Sequence, residues 1–501
     1  MAEGEENMNI YWGDLHNHCG MTYGFGSLEN ALKRAKSQLD FCCITGHAMW
    51  PDMYEEKPET AFVVNFHRVG FQKLKDHWEE DRKMIADANS DSFVTFQGYE
   101  MHSSEYGDHH VLTINDEMPL KDCQNPDELV KLCGDAIVVP HHIGYTPGYR
   151  GINWDKYINA NSPVIEVYSK HGCAMDEEAD YPYYHNMGPR DTRNLVMEGL
   201  KRGYKFGFIG STDHHAGFPG SYGDGMAAVL ADERTRESIF EAIKARRTYA
   251  VTGDRILCDF KINDACMGAE ITADKRHITG HFETEYGLDK IVLYKNGKPI
   301  HVINGECYQE INESGRYKIR VEFGWGNSEL YHWDGSIETQ EGTIVGYRTY
   351  FRGRSVLAPS ADESYDGDTI NDICTESAQV TDSKVTFSCD TVGNKSTLHP
   401  STSAVLVEVE GNLDTKVTVQ MNHKTYTASI RELLEYGYTD HMEYYHSQAF
   451  KIHRALPESR YMFDLDLTDD TAERECDFYH VEVAQKNRQW AYVSPIFVNR
   501  K

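Results

Sequence analysis

The stretch IYWGDLHNH, residues 10–18, decides how the front half of the chain is read. Ile10, Tyr11 and Trp12 make a short apolar strand, and His16 and His18 follow it two apart. On extended backbone, residues two apart point to the same side, so the two imidazoles can grip one cation. Taken alone, the pair fits a polar turn as well as a metal site. Working outward, the same pattern recurs. His47 follows FCCIT, Glu100 ends FVTFQGYE, His141 and His142 follow AIVVP, His171 follows VIEVYS, and Asp213 and His215 follow FGFIGS. Apolar strand after apolar strand ends in imidazole or carboxylate, ligand types that suit Zn, Mn or Fe(II), and a carboxylate such as Glu100 can bridge two ions.

Between these strands lie helical patterns. Ser27 is placed to cap a helix carrying Leu28, Ala31, Leu32, Ala35 and Leu39, Asp191 one carrying Leu195, Val196 and Leu200, and a third runs from about Thr235 to Arg246. Alternating strand and helix predicts an α/β domain over residues 1–253, and in a parallel barrel all the carboxyl strand ends share one face. From about Thr252 strands alternate with turns instead, as in KIVLYKNGKPIHVI, where Asn296-Gly297 signals a hairpin. Residues 254–501 therefore read as an all-β, sandwich-like region, with a loop-rich junction near 357–402 that can divide it into two sandwiches.

A formal charge of −29 repels nucleic acid and anionic lipid and points to a small-molecule substrate. The acidic, polar start and the lack of a long apolar run predict a cytoplasmic protein. Twelve cysteines without a CxxC pair match neither a disulfide framework nor a zinc ribbon. Serine-hydrolase chemistry lacks a GxSxG elbow, and nucleotide-driven phosphoryl transfer lacks a GxxxxGK[ST] loop.

In this order GDLHNH, ITGH, the isolated Glu100, VVPHH and STDHH resemble the motifs of the PHP (polymerase and histidinol phosphatase) superfamily, whose fold is a distorted TIM-like barrel. RRTYAVTGDRI (246–256) and QWAYVSPIFV (489–498) resemble a branch that includes aryl carbamate (carbaryl-type) hydrolases. The resemblance implies that His16, His18, Glu100 and Asp213 hold one divalent ion, that Glu100, His141 and His171 hold a second, and that His47 and His215 belong to a third. Two departures weaken that third position. Gly46 stands where an acidic residue usually precedes the histidine, and CGMTYGFG (19–26) lacks the histidine or aspartate that often completes it. Two ions is the expected count.

Other candidates have competing readings. His142 and His214 each adjoin a proposed ligand and, on extended backbone, face the other way. His109 and His110 suit a proton shuttle or the start of a strand, and His102 reads as rim or solvent-facing. Asp14 is placed to orient an imidazole. Cys19 reads as a buried structural thiol. Arg150 and Lys170 are candidates for an anionic substrate group. The tyrosine-rich run DYPYYHNMG (180–188) can line a pocket for a ring or simply pack as a loop.

The expected activity is hydrolysis of a small-molecule ester or carbamate by a metal-activated hydroxide, with Glu100 as bridge and His110 or His142 protonating the leaving group. The first alternative is a phosphoesterase on the same centre. The second is a non-catalytic, metal-containing module that binds a glycan or protein. Shaping the pocket, making a homo-oligomer contact and binding carbohydrate are all roles open to the β region.

Overall fold

The computed structural model describes residues 8–180, 183, 187–305, 312–326, 330–354, 373–393, 401–444 and 447–501. Half of the junction expected near 357–402, residues 357–372 and 394–400, falls outside them, as do residues 181, 182 and 184–186 of the tyrosine-rich run. The front strands are β1 (Asn9–Asp14), β2 (Phe41–Cys43), β3 (Gly46–Met49), β4 (Val94–Met101), β5 (His109–Thr113), β6 (Ala136–Pro140), β7 (Val164–Ser169), β8 (Gly172–Cys173), β9 (Gly207–Gly210), β10 (Met226–Ala231) and β11 (Thr248–Val251). Most are buried along their whole length, which is why they read as unbroken apolar runs.

The expected TIM-like barrel does not form. β1, β2 and β4 lie parallel, but β5, β10 and β11 run antiparallel to their neighbours. β7, β8 and β9 make a separate three-stranded sheet, and among the described residues no ladder joins β6 to β7 or β9 to β11. Closure requires each edge strand to pair with the next. Here β11 gives its free edge to Trp490–Asn499, and the sheet runs on through Cys476–Gln485, Leu288–Lys295 and Lys298–Asn304 to a total of 13 strands. Strand far outweighs helix along the chain.

The helices follow their local signals. In α1 (Leu28–Gln38) the Ser27 hydroxyl accepts from the Asn30 N–H, and Leu28, Ala31, Leu32 and Ala35 are buried. Helix α2 (Ala61–Asp87) was not anticipated. Its buried stripe of Val64, Phe71, Leu74, Trp78 and Ile85 is thin against its many charges. Gly70 lets it lie on Tyr23, whose Cδ1 a Cβ there would meet at 2.3 Å. Pro126 starts the short α3 (Pro126–Cys133), capped by Asn125. Asp191 caps a 3-10 turn (Thr192–Asn194), and the expected helix begins later, as α4 (Val196–Lys201). Thr235 caps α5 (Arg236–Lys244).

In the back half, Asn296 (φ 52°) and Gly297 (φ 80°) turn the hairpin in the left-handed conformations that the Asn-Gly pair predicts. A six-stranded sheet containing Ser314–Trp325 and a five-stranded sheet containing Leu330–Gln340 share a core that includes Phe323, Trp333, Ile337, Phe387, Val407 and Val419.

Candidate metal centre

The site is assembled around Glu100 near the end of β4. In the ladders on either side, His47 of β3 and His110 of β5 stand directly opposite it, so all three side chains share one face. His47 therefore lies within a short strand of its own and not simply after FCCIT. Two loops close over this face. Asp213 N–H donates to His16 O at 2.8 Å, His18 N–H to His214 O at 2.8 Å and Gly217 N–H to His18 O at 3.0 Å, so the His16–His18 turn and the loop after β9 are laced together. Asp213 (φ 50°) and His142 (φ 53°) sit in the left-handed region, a conformation that costs a non-glycine residue of order 1 kcal/mol and persists where the surroundings impose it.

Every imidazole and carboxylate of the cluster is buried. Glu100 Oε2 lies 3.4 Å from His16 Nε2, 3.4 Å from His18 Nε2 and 3.3 Å from His47 Nε2. Its Oε1 faces a different set, with His141 Nε2 at 3.1 Å and His102 Nδ1 at 3.2 Å. Asp213 also faces two ways, Oδ1 to His18 Nε2 at 3.1 Å and Oδ2 to His171 Nε2 at 2.9 Å. The structure thus brings His171 to Asp213, where the expected partners were Glu100 and His141. His142 Nε2 lies 3.9 Å from Asp213 Oδ2, with its ring edge-on to that of His171. Nitrogens of His18, His47 and His215 converge as a further group, and so do those of His16, His110 and His141.

The electrostatics suit cation binding. Burial by itself would raise the Glu100 and Asp213 carboxyls, but the surrounding imidazoles hold both well below the usual carboxylate range. Burial pushes His47, His110, His142 and His215 well below the usual imidazole range, which leaves them neutral. Ionised carboxylate and neutral imidazole are the states in which these groups ligate. His16 is the exception: burial lowers it, but Glu166, Asp213 and Glu100 together raise it well above the usual value. Its Nε2 lies 3.2 Å from His18 Nε2. Two imidazole lone pairs so close require a proton or a cation between them. Metal–ligand bonds of about 2.1 Å at tetrahedral or octahedral angles place neighbouring ligand atoms about 3.0–3.4 Å apart. The spacings around Glu100 and Asp213 fall close to that range, so the residues fit a divalent-cation site.

The supporting residues differ from those anticipated. Among the described residues Asp14 meets no imidazole ring; of His16 it meets only the backbone N–H, at 3.2 Å. It accepts from Thr212 Oγ1 at 2.6 Å and from the Gly220 N–H at 2.9 Å, which holds the loop carrying Asp213. Burial lifts it to about 6 against those hydrogen bonds. The imidazole-orienting role falls to Glu166, whose Oε2 is 2.8 Å from His16 Nδ1. Its signal was a lone acid inside VIEVYS. Asp108, just before the His109-His110 pair, was also missed; it takes His102 Nδ1 at 3.0 Å and Arg150 Nε at 2.5 Å. His102 is fully buried, contrary to its solvent-facing reading, and its Nε2 meets the Tyr23 hydroxyl at 3.0 Å. Tyr23 stacks on His47 with centroids 4.0 Å apart. His110 stacks on His16, and neither of its ring nitrogens has a partner among the described residues. Arg150 is committed to Asp108, with an Nη 3.8 Å from Glu100 Oε1. Lys170 is buried beside His171. The Cys19 thiol is pushed up to about 12 by burial, which leaves it a poor nucleophile.

The model of a family described as "Protein of unknown function (DUF3604)" matches residues 220–274. Uncharacterized proteins of Chlamydia muridarum (strain MoPn / Nigg) and Chlamydia pneumoniae are each 26% identical, over 330 and 325 residues, or 59% and 58% of this chain and 49% and 48% of theirs. The chain spans about half the length of these curated relatives. Among solved structures, a two-domain protein from Bacteroides vulgatus ATCC 8482, described as containing a predicted PHP-like metal-dependent phosphoesterase, is similar at 15% identity and a TM-score of 0.31, over 59% of this chain and 81% of that one. Among the described residues no helix is long and apolar enough to cross a membrane.

Proposed function

We propose that the chain is a metal-dependent hydrolase acting on an ester-type bond of a small molecule. The observation that supports this best is the double facing of Glu100, whose two oxygens address separate sets of buried imidazoles. His16, His18 and Asp213 with Glu100 Oε2 would hold one divalent ion, Zn, Mn or Fe. Glu100 Oε1 with His141 would hold a second, and His47 and His215 would belong to a third position. When bound, such ions supply Lewis acidity and bring the pKa of water toward neutrality. Glu166 keeps the His16 proton on Nδ1 and its Nε2 turned toward Glu100 and Asp213. Asp108 holds His102 and Arg150 in place on the far side. His110, neutral and without a partner at either ring nitrogen among the described residues, can carry a proton to a leaving group, and so can His142 at Nδ1.

For the bond cleaved, an ester or carbamate is the first reading, supported by the motifs at 246–256 and 489–498. A phosphoester is favoured by a different observation, the burial of the Lys170 cation beside His171. A screen of Mn-, Zn- and Fe-loaded protein against nitrophenyl phosphates, phosphodiesters, esters and carbamates separates the two. Glu100→Ala should lose metal and turnover together; full turnover by that variant in metal-free buffer would end the proposal. Less than one ion per protomer in protein purified without chelator would favour a non-catalytic binding module.

A further inference from the structure

The described residues contain six buried lysines and arginines in the fold's interior, and five of them are paired. Arg34 meets Glu376 at 3.3 Å, Arg276 meets Asp477 at 3.3 Å, Lys295 meets Asp469 at 2.7 Å, Lys318 meets Glu283 at 2.6 Å and Arg320 meets Asp254 at 2.9 Å. Lys170 is the sixth. It is 2% exposed, and its Nζ has no partner among the described residues. An ammonium in such surroundings is costly unless an anion or several acceptors meet it.

The placement of Lys170 suggests where that anion comes from. It lies between β7 and β8, one residue before His171, and its backbone N–H donates to Thr212 O at 3.3 Å, on the loop that carries Asp213 and His215. Burial lowers the Lys170 ammonium from its ordinary range, and the carboxylates of Asp224 and Asp213 act against that. The two carboxylates have other neighbours. Asp213 faces His18 and His171, and Asp224 faces His214 Nε2 at 3.8 Å. Arg150 cannot take the same role, because Asp108 already occupies it on the opposite side of Glu100.

We propose that Lys170 Nζ anchors an anionic oxygen of the substrate on the His171–Asp213 side of the metal centre. This rests on the hydrolase reading and narrows it to substrates that carry a carboxylate or a phosphoryl group. The oxygen accepts the hydrogen bond that Nζ lacks, and the anion replaces the missing counter-charge. No covalent step at the lysine is involved.

The test uses the metal-loaded full chain, with Lys170→Met and Lys170→Arg beside it. Inorganic phosphate and succinate are titrated by calorimetry, and turnover is read on 4-nitrophenyl phosphate, mono-4-nitrophenyl succinate and 4-nitrophenyl acetate. In Lys170→Met we expect metal content at the wild-type level, affinity for phosphate or succinate at least tenfold weaker, and a kcat/KM ratio of anionic to neutral substrate at least tenfold lower. Lys170→Arg should recover at least part of the affinity. An effect confined to phosphate identifies a phosphoryl group, and one confined to succinate identifies a carboxylate. Unchanged affinity for both anions, or an equal loss on all three substrates, overturns the proposal. Should Lys170→Met lose its metal, Lys170→Gln takes its place under the same criteria. If the wild-type protein turns over none of the substrates, the hydrolase reading fails, and the calorimetry still decides whether Lys170 holds an anion.

Discussion

Replacing Glu166 with glutamine removes one charge and almost nothing else. Its Oε2 stands 2.8 Å from His16 Nδ1, and the two side chains are 2% and 0% exposed, so water does not screen the pair. Glutamine can still accept from Nδ1–H through its amide oxygen, which preserves the tautomer and leaves Nε2 facing Glu100 and Asp213. What is lost is the negative charge that makes the imidazole a stronger donor to a cation. A hydrogen bond to a charged group contributes about 1.5–3 kcal/mol, and removing such a partner behind a ligand costs about 10- to 100-fold in metal affinity, or about 1.4–2.8 kcal/mol. The two ranges agree, so Glu166→Gln should weaken metal binding by about 10- to 100-fold. Glu166→Ala, which leaves a buried N–H unpaired, should do worse. Zn or Mn is titrated against a competing chromophoric chelator, with near-UV circular dichroism to confirm that the fold is intact. A folded Glu166→Gln protein that binds metal within twofold of wild type would refute the idea that His16 is a ligand oriented by this carboxylate.

Two further predictions concern stability. Arg276→Met removes the guanidinium from Asp477, which is fully buried and keeps Asn296 Nδ2 at 2.7 Å, so the loss should lie near the low end of the range for a broken buried pair, about 3 kcal/mol by urea denaturation; a change below 1 kcal/mol would contradict it. For Glu322, burial favours the neutral acid, but the His453 hydrogen bond at 2.8 Å, the Arg320 charge and the Thr402 hydroxyl bring it from its ordinary 4.5 to about 2. Because the folded value lies below the unfolded one, this carboxylate contributes about 3 kcal/mol above roughly pH 4.5, and the contribution fades as the pH falls toward 2, so Glu322→Gln should flatten acid destabilisation in that window; an unchanged slope would count against the pairing.

The site was far more legible than the architecture, for a physical reason. Candidate ligand positions such as His16, His18 and Glu100 announce themselves locally, because a polar residue at the end of an apolar strand needs a partner and the two-residue period fixes its side. Glu166 and Asp108 carry the same chemistry without that signal, since a lone acid in a strand or before a turn is common on surfaces. His171 shows the limit differently. Its strand was read correctly, but whether it meets Glu100 or Asp213 depends on how the β7–β9 sheet lies against the larger one, which no local spacing encodes.

The barrel failed as an expectation because strand pairing is settled by edges, and the edge of β11 is taken by residues more than 200 positions further on. The two segments whose motifs had stood apart from the histidines, 246–256 and 489–498, are register partners there, with Tyr249 opposite Val493, Ala250 opposite Tyr492 and Val251 opposite Ala491. One residue beyond, Ser494 Oγ accepts from the Phe208 N–H at 2.7 Å on β9, the strand that leads to Asp213. The C-terminal strand therefore braces the base of the loop that carries Asp213. That gives both segments a mechanical reason to be recognisable without contributing a ligand, and it makes the last strand part of the framework on which the candidate centre is built.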